Sequence, residues 1–201
     1  MECARLAAQA QSPMLFVLMG DGNQRQALAR LAAKYGVANL RFLPLQASET
    51  FPSVLAAADI LLINQRASVN DMSLPSKLTS YFASGRPVVA AAAAHSETAR
   101  EVAWSSGGLV VAPDDAPALL DALLRVANDA GLRAHLAQSA KAWAADTLSE
   151  SAALRGYEQL LASVLAGGRH GRVHTPGRRV VLDRDADIAA ANAEGSDRWA
   201  A

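Results

Sequence analysis

Cysteine is almost absent from this chain. Cys3 is the only one in 201 residues. No disulfide can form within the chain, and a reducing, cytoplasmic compartment is the expectation. An excess charge of one sign is also missing. Lys plus Arg and Asp plus Glu each number 19, a formal net charge of zero. Partners such as nucleic acid or an anionic membrane surface would call for a basic excess. No apolar run approaches the roughly 20 residues of a membrane span. The N-terminus carries Glu2 and lacks a basic region followed by an apolar stretch, so no signal peptide is expected. There is no Walker loop, no Gly-x-Ser-x-Gly elbow and no Cys-x-x-Cys pair. His95 and His135 are isolated. His170 and His174 have helical metal spacing but no third ligand nearby, so neither a metal nor another cofactor is expected.

Apolar residues, by contrast, are plentiful. They make up 51% of the chain, which excludes a largely disordered protein, and the length suffices for one domain with a real core. The middle of the chain alternates short apolar runs with amphipathic segments, the pattern of an α/β domain with a mostly parallel sheet. The spacing predicts five strands: 15–19, 40–43, 60–63, 87–91 and 108–111. Helices are predicted between them at 24–35, 53–57, 76–84 and 97–104, the first with a buried stripe of Leu28, Leu31, Ala32 and Tyr35. After Pro113 the pattern is all helical. Leu119, Leu120, Leu123, Leu124 and Ala127 mark one helix, and Leu132, Leu136, Ala140 and Trp143 a second. A capping box of Thr147 and Glu150 opens a third, with a stripe of Tyr157, Leu160, Leu161 and Val164. From Ala166 onward Gly, Arg and Asp replace large apolar residues, and 166–201 reads as a disordered tail.

The most informative stretch runs Leu74-Pro75-Ser76-Lys77-Leu78-Thr79-Ser80-Tyr81-Phe82-Ala83-Ser84-Gly85-Arg86-Pro87-Val88-Val89. It reads as a loop, a helix with Leu78, Tyr81 and Phe82 facing a core, a glycine stop and a buried strand. Unpaired N–H groups and the helix dipole beside Ser76 and Lys77 favour an anion, such as a phosphorylated ligand. Two further pieces are a strand-to-helix turn at Gly20-Asp21-Gly22 and an Ala57-Ala58-Asp59-Ile60-Leu61-Leu62 run. The turn lacks the third glycine of the dinucleotide fingerprint, since Arg25 stands there, and no acidic residue ends the next strand. It serves either a ligand crevice or the turn alone.

As an ordered set, from about Met14 to Leu165, these pieces resemble the donor half of GT-B glycosyltransferases. The resemblance is to the large retaining bacterial family of colanic-acid and exopolysaccharide type. It implies a Rossmann-like parallel sheet forming the C-terminal half of a GT-B fold, followed by C-terminal helices. Residues 1–12 would be a partial helix of a truncated domain start, with Cys3, Leu6, Ala7 and Ala10 on its apolar face. Residues 13–165 would be the nucleotide-sugar-binding domain. The family's first strand, its diphosphate-gripping Arg and Lys and its acceptor domain are not found in this sequence. The chain is therefore expected to be a fragment, cytoplasmic or held peripherally at the inner membrane through the missing domain.

The resemblance also implies a ligand set. Lys77 would neutralise a diphosphate; otherwise it is a solvated helix residue. Ser76 and Gly20 would line the same crevice. Leu45, after the strand ending at Leu43, would meet the nucleobase or else simply pack. The family places two glutamates around the loop, and the matching positions hold Met72 and Ser80. Ser80 can still hydrogen-bond a ribose hydroxyl, and Asp71 would replace the first glutamate or else make a local turn. Asn64 and Arg66 lie at another strand's carboxyl end. Glu97, Arg100 and Glu101 read as a solvated helix face. The implied partner is a nucleotide-diphosphate sugar of uridine type, with a glycan or lipid-linked acceptor held by the missing domain. Three function readings follow: a glycosyltransferase donor domain inactive alone, a non-catalytic nucleotide-binding remnant, and a sugar-nucleotide epimerase. An NAD-dependent oxidoreductase is a distant fourth.

Overall fold

The computed structural model describes residues 1–68, 76–165, 172–175 and 178–181. Two compact units divide at Ala144 and Ala145. The first opens with helix α1 (Glu2–Gln9), then β1 (Phe16–Met19), α2 (Arg25–Lys34), β2 (Leu40–Leu43), α3 (Phe51–Ala57) and β3 (Leu61–Asn64). It continues with α4 (Lys77–Ala83), β4 (Val88–Ala91), α5 (Glu97–Ser105), β5 (Gly108–Val111), α6 (Ala116–Asn128) and α7 (Ala130–Trp143). Every strand and interleaved helix expected from apolar periodicity is present, within one or two residues at each end.

All five strands are parallel to their neighbours, but they do not form one ladder. β1 pairs with β2, and β3, β4 and β5 form a separate sheet in that order. Helix α1 contributes to the cores of both sheets. Cys3 and Ala7 pack into the core of Val89, Ala91, Leu119, Leu120, Leu123, Val126 and Leu136, while Ala4 packs with Ala32, Val37 and Leu40. Phe16 touches both clusters. Burial pushes the Cys3 thiol up to about 11, so the thiolate is disfavoured and the residue behaves as a small apolar side chain.

The two sheets are covered very differently. Val88 and Val89 have no exposed surface, as expected of a central parallel strand with helices on both faces, whereas Val17 keeps 48%. The same shortfall corrects the α2 stripe. Only Ala32 of that stripe is buried; Leu28 is half-buried, and Leu31 and Tyr35 are exposed, because two strands offer too narrow a face to cover the whole helix.

Polar groups lock α5 and α7 onto the three-stranded sheet. Glu101 is buried and accepts the Trp143 Nε1–H at 2.7 Å, so it is no part of a solvated face. The period-3.6 pattern placed it with its surface neighbours Glu97 and Arg100, which do pair with each other. Ser105 Oγ accepts the Gly107 N–H at 3.0 Å and donates to the Val102 carbonyl at 2.9 Å. The next residue sits against β4: a Cβ on Gly108 would lie 2.2 Å from the Val88 carbonyl oxygen, and backbone cannot step aside. Gly108→Ala is expected to destabilise the fold by about 1–3 kcal/mol or more. That corresponds to a drop of about 2–4 °C in melting temperature per kcal/mol, measurable by thermal denaturation.

A π turn (Ala144–Leu148) starts at the last residue of the first unit and leads into α8 (Glu150–Leu165) of the second. The expected Thr147–Glu150 capping box does not form, because Thr147 is taken up in the π turn. Ser149 caps α8 instead, its Oγ accepting the Ala152 N–H at 3.2 Å. The stripe expected to be buried is not: Tyr157, Leu161 and Val164 are exposed and Leu160 is half-buried. Periodicity marks an apolar face but does not supply a surface to cover it. Within 166–201 the structure describes one antiparallel hairpin, β6 (Arg172–Thr175) with β7 (Arg178–Val181). This departs from the disordered tail expected there, and Pro176-Gly177 between two runs containing β-branched residues is the hairpin signal. The rest of the expected tail lies outside the described residues.

Candidate functional site

In an open α/β sheet the ligand side is the carboxyl end of the strands, where loops lead into helices. Gly20 closes β1 there with φ 135°, a backbone region that side-chain-bearing residues rarely adopt. Its N–H donates to the Leu43 carbonyl at 3.1 Å, which carries the ladder one step past β1 and holds the turn against the end of β2. Arg25, the residue that breaks the dinucleotide fingerprint, forms an ion pair with Asp21 at 3.4 Å. The turn is thus closed by its own side chains. Leu45 stands two residues past β2 and is 72% exposed, so ordinary packing does not account for it. Gln46 folds back so that its Nε2 donates to the Pro44 carbonyl at 3.0 Å.

The second group of expected residues begins α4. Leu78 and Phe82 are fully buried and fix the helix, as their spacing required. Burial raises the pKa of Tyr81 on the same turn, keeping its hydroxyl protonated at neutral pH. Gly85, with φ 66°, lets the chain leave the helix for β4. On the outer side Ser76 and Lys77 are exposed and Ser80 is half-buried. The Ser76 hydroxyl makes no capping bond, and Lys77 makes no hydrogen bond or ion pair with another described residue. Asn64 ends β3 and Arg66 follows it, and both are exposed. Asp71 and Met72 lie outside the described residues.

The structure therefore brings Gly20 and the approach to Leu45 together at the end of one sheet, and Ser76, Lys77 and Ser80 onto one helix start. Two features escaped the sequence reading. Ser96, in the loop after β4, caps α5, its Oγ accepting the Ala99 N–H at 3.2 Å; the Ser-Glu-Thr run is the local signal for it. Asp114, after β5, reaches the backbone of Ala67, a bond that no local pattern reveals. Among the described residues no group of three His, Cys, Asp or Glu side chains is placed to hold a metal ion. No described helix is long and apolar enough to cross a membrane.

Comparison with known proteins places these features in a family. The family model "Glycosyl transferases group 1" matches residues 2–129. The putative colanic acid biosynthesis glycosyl transferase WcaI of Escherichia coli K12 is 35% identical over 85 residues, 42% of this chain and 21% of WcaI. Among solved structures, HepE of Anabaena in complex with UDP matches with TM-score 0.64 and 22% identity, over 82% of this chain and 44% of HepE. The C-terminal domain of the group 1 glycosyl transferase LpcC of Francisella tularensis matches with TM-score 0.59 and 20% identity, over 74% of this chain and 77% of that domain. The chain thus spans less than half the length of WcaI and HepE.

Proposed function

Since the chain belongs to the group 1 glycosyl transferases and has the C-terminal fold of their GT-B architecture, we propose that it binds the donor, a uridine-diphosphate sugar, for polysaccharide synthesis. The observation that carries this reading is Lys77: an exposed cation at the start of α4 with no carboxylate on it among the described residues. A diphosphate leaving group develops negative charge as the sugar departs, and a cation already in place stabilises that charge without reorganising. On this reading the donor would lie near Gly20 and Ser76, with Leu45 offering an apolar side chain to the base and Ser80 a hydroxyl to the ribose. HepE, which shares the fold, has been seen with UDP and with UDP-glucose.

Lys77→Ala is expected to weaken UDP binding by about 1–3 kcal/mol, the range of a charge-assisted contact, in isothermal calorimetry. Equal affinity of the two proteins would make Lys77 a surface residue only. A second reading, a nucleotide-binding remnant without catalysis, is favoured by Met72 and Ser80 at the two positions where the family resemblance calls for glutamates. UDP binding with no transfer even beside an acceptor domain would decide for it.

A further inference from the structure

β5 is an outer strand of the three-stranded sheet. It has β4 on one side and no ladder partner on the other among the described residues. The Val88 N–H donates to the Gly107 carbonyl and the Ala92 N–H to the Val111 carbonyl, both at 3.1 Å. Gly107, Leu109 and Val111 therefore turn their backbone groups to β4, while Gly108 and Val110 turn theirs outward. An open strand edge usually carries a guard, such as a charge, a proline or a bulge. β2 has one. Its outward carbonyl at Leu40 accepts from Arg41 Nη1 at 3.3 Å, and the same nitrogen donates to the Ala38 carbonyl at 2.8 Å. β5 has none: Gly108-Leu109-Val110-Val111 holds no charge and no proline, and Val110 is exposed.

Beside this edge lies an open groove of about 280 Å³, lined by Leu109, Val110, Val111, Asp121, Ala122 and Arg125. Its lining is apolar apart from one charge of each sign on α6. Asp121 and Arg125 are exposed and one helical turn apart, and among the described residues neither makes an ion pair. The arrangement is self-complementary. A two-fold axis at Leu109 pairs Gly108 of one copy with Val110 of the other, and Val110 with Gly108, so that both outward residues exchange N–H and carbonyl bonds. The two Leu109 side chains then meet across the axis beside the groove. The two α6 helices run antiparallel, which sets Asp121 of each copy opposite Arg125 of the other.

We propose that the β5 edge is a homodimer interface, where a second copy of this chain adds its own β5 antiparallel and the two three-stranded sheets become one. The charges on α6 select a second copy as the occupant, because the two-fold axis supplies each with its opposite. The joint is short, so the dimer is reversible. Antiparallel pairing points the carboxyl ends of the two sheets in opposite directions. The interface therefore leaves the strand ends open and does not depend on the donor-binding reading.

Sedimentation velocity of the full chain tests this. All proteins compared carry Val17→Lys, which charges the exposed side of β1 and closes that separate route to association. The Val17→Lys chain is expected to sediment as monomer and dimer in a ratio that follows concentration, with nothing larger. Val110→Pro removes an N–H that faces outward, so it spares the β4 ladder and should leave monomer alone. Asp121→Arg sets like charges opposite each other and should weaken the dimer about 2- to 30-fold, since two exposed ion pairs are lost. Adding Arg125→Asp should restore it. Both α6 positions are exposed, so these variants decide the matter even where Val110→Pro fails to fold. A monomer at every concentration overturns the proposal. So does a dimer that folded Val110→Pro or Asp121→Arg leaves intact, or one that the double charge swap does not recover.

Discussion

Purified 201-residue protein, mixed with labelled UDP-sugars and a lipid-linked acceptor extract, is expected to transfer no sugar. The first obstacle is entropic. Transfer needs donor and acceptor held in line, and such positioning is worth about 7–11 kcal/mol of barrier. This chain covers 44% of HepE and 21% of WcaI, and its expected site residues all belong to the donor side. A second shortage is charge. Lys77 is the cation that the sequence reading places at the diphosphate, and nothing in that reading supplies a second. The carboxylates expected around the loop are replaced by Met72 and Ser80. Sustained turnover by a monodisperse preparation would overturn this expectation. Activity that appears only when an acceptor domain is supplied would support it.

The second large effect concerns the break between the two sheets. In a parallel ladder alternate residues turn their backbone groups to opposite edges. Phe16 and Gly20 donate toward β2, and Leu61 and Gln65 toward β4. Val17 and Met19 on one side, and Leu62 and Asn64 on the other, therefore direct their N–H and carbonyl groups to edges with no ladder partner among the described residues. Beside them Leu15, Val17 and Leu18 are exposed, at 59%, 48% and 39%. Unpaired edges flanked by apolar side chains template association with another chain. The protein is expected to self-associate as its concentration rises, seen by light scattering or sedimentation. Val17→Lys should suppress that association with a stability change within about 0.5 kcal/mol, since it alters an exposed position. A monodisperse monomer at every concentration would show that the edges are already satisfied. The same edges would accept one more parallel strand, the device that a complete doubly wound sheet uses at its centre.

Local pattern was enough to read much of this. Runs such as Pro87-Val88-Val89-Ala90-Ala91 and Leu40-Arg41-Phe42-Leu43 declared their strands because short apolar segments bounded by turn residues have few other uses. Leu78 and Phe82 declared α4 through spacing. The failures have one cause. Whether an apolar stripe is buried depends on what lies opposite, and sequence spacing does not carry that information. Leu31 and Tyr35 on α2, and Tyr157, Leu161 and Val164 on α8, have the right period and remain exposed. Glu101 is the converse case. It looked like one charge among several on a solvated face, yet it is buried with the Trp143 indole. The bond from Ala67 to Asp114 joins residues 47 apart and leaves no trace in either neighbourhood. Of the candidate site, Gly20, Leu45, Ser76, Lys77 and Ser80 stand at strand ends or on the first turn of a helix, as the motif required.

The most direct measurement is a titration of the isotopically labelled chain with UDP, followed by amide NMR at low protein concentration. The account predicts saturable shifts concentrated at Gly20, Leu45, Ser76, Lys77 and Ser80, weakened in Lys77→Ala. A folded protein whose spectrum does not change with UDP, or whose shifts fall away from the strand ends, would contradict it.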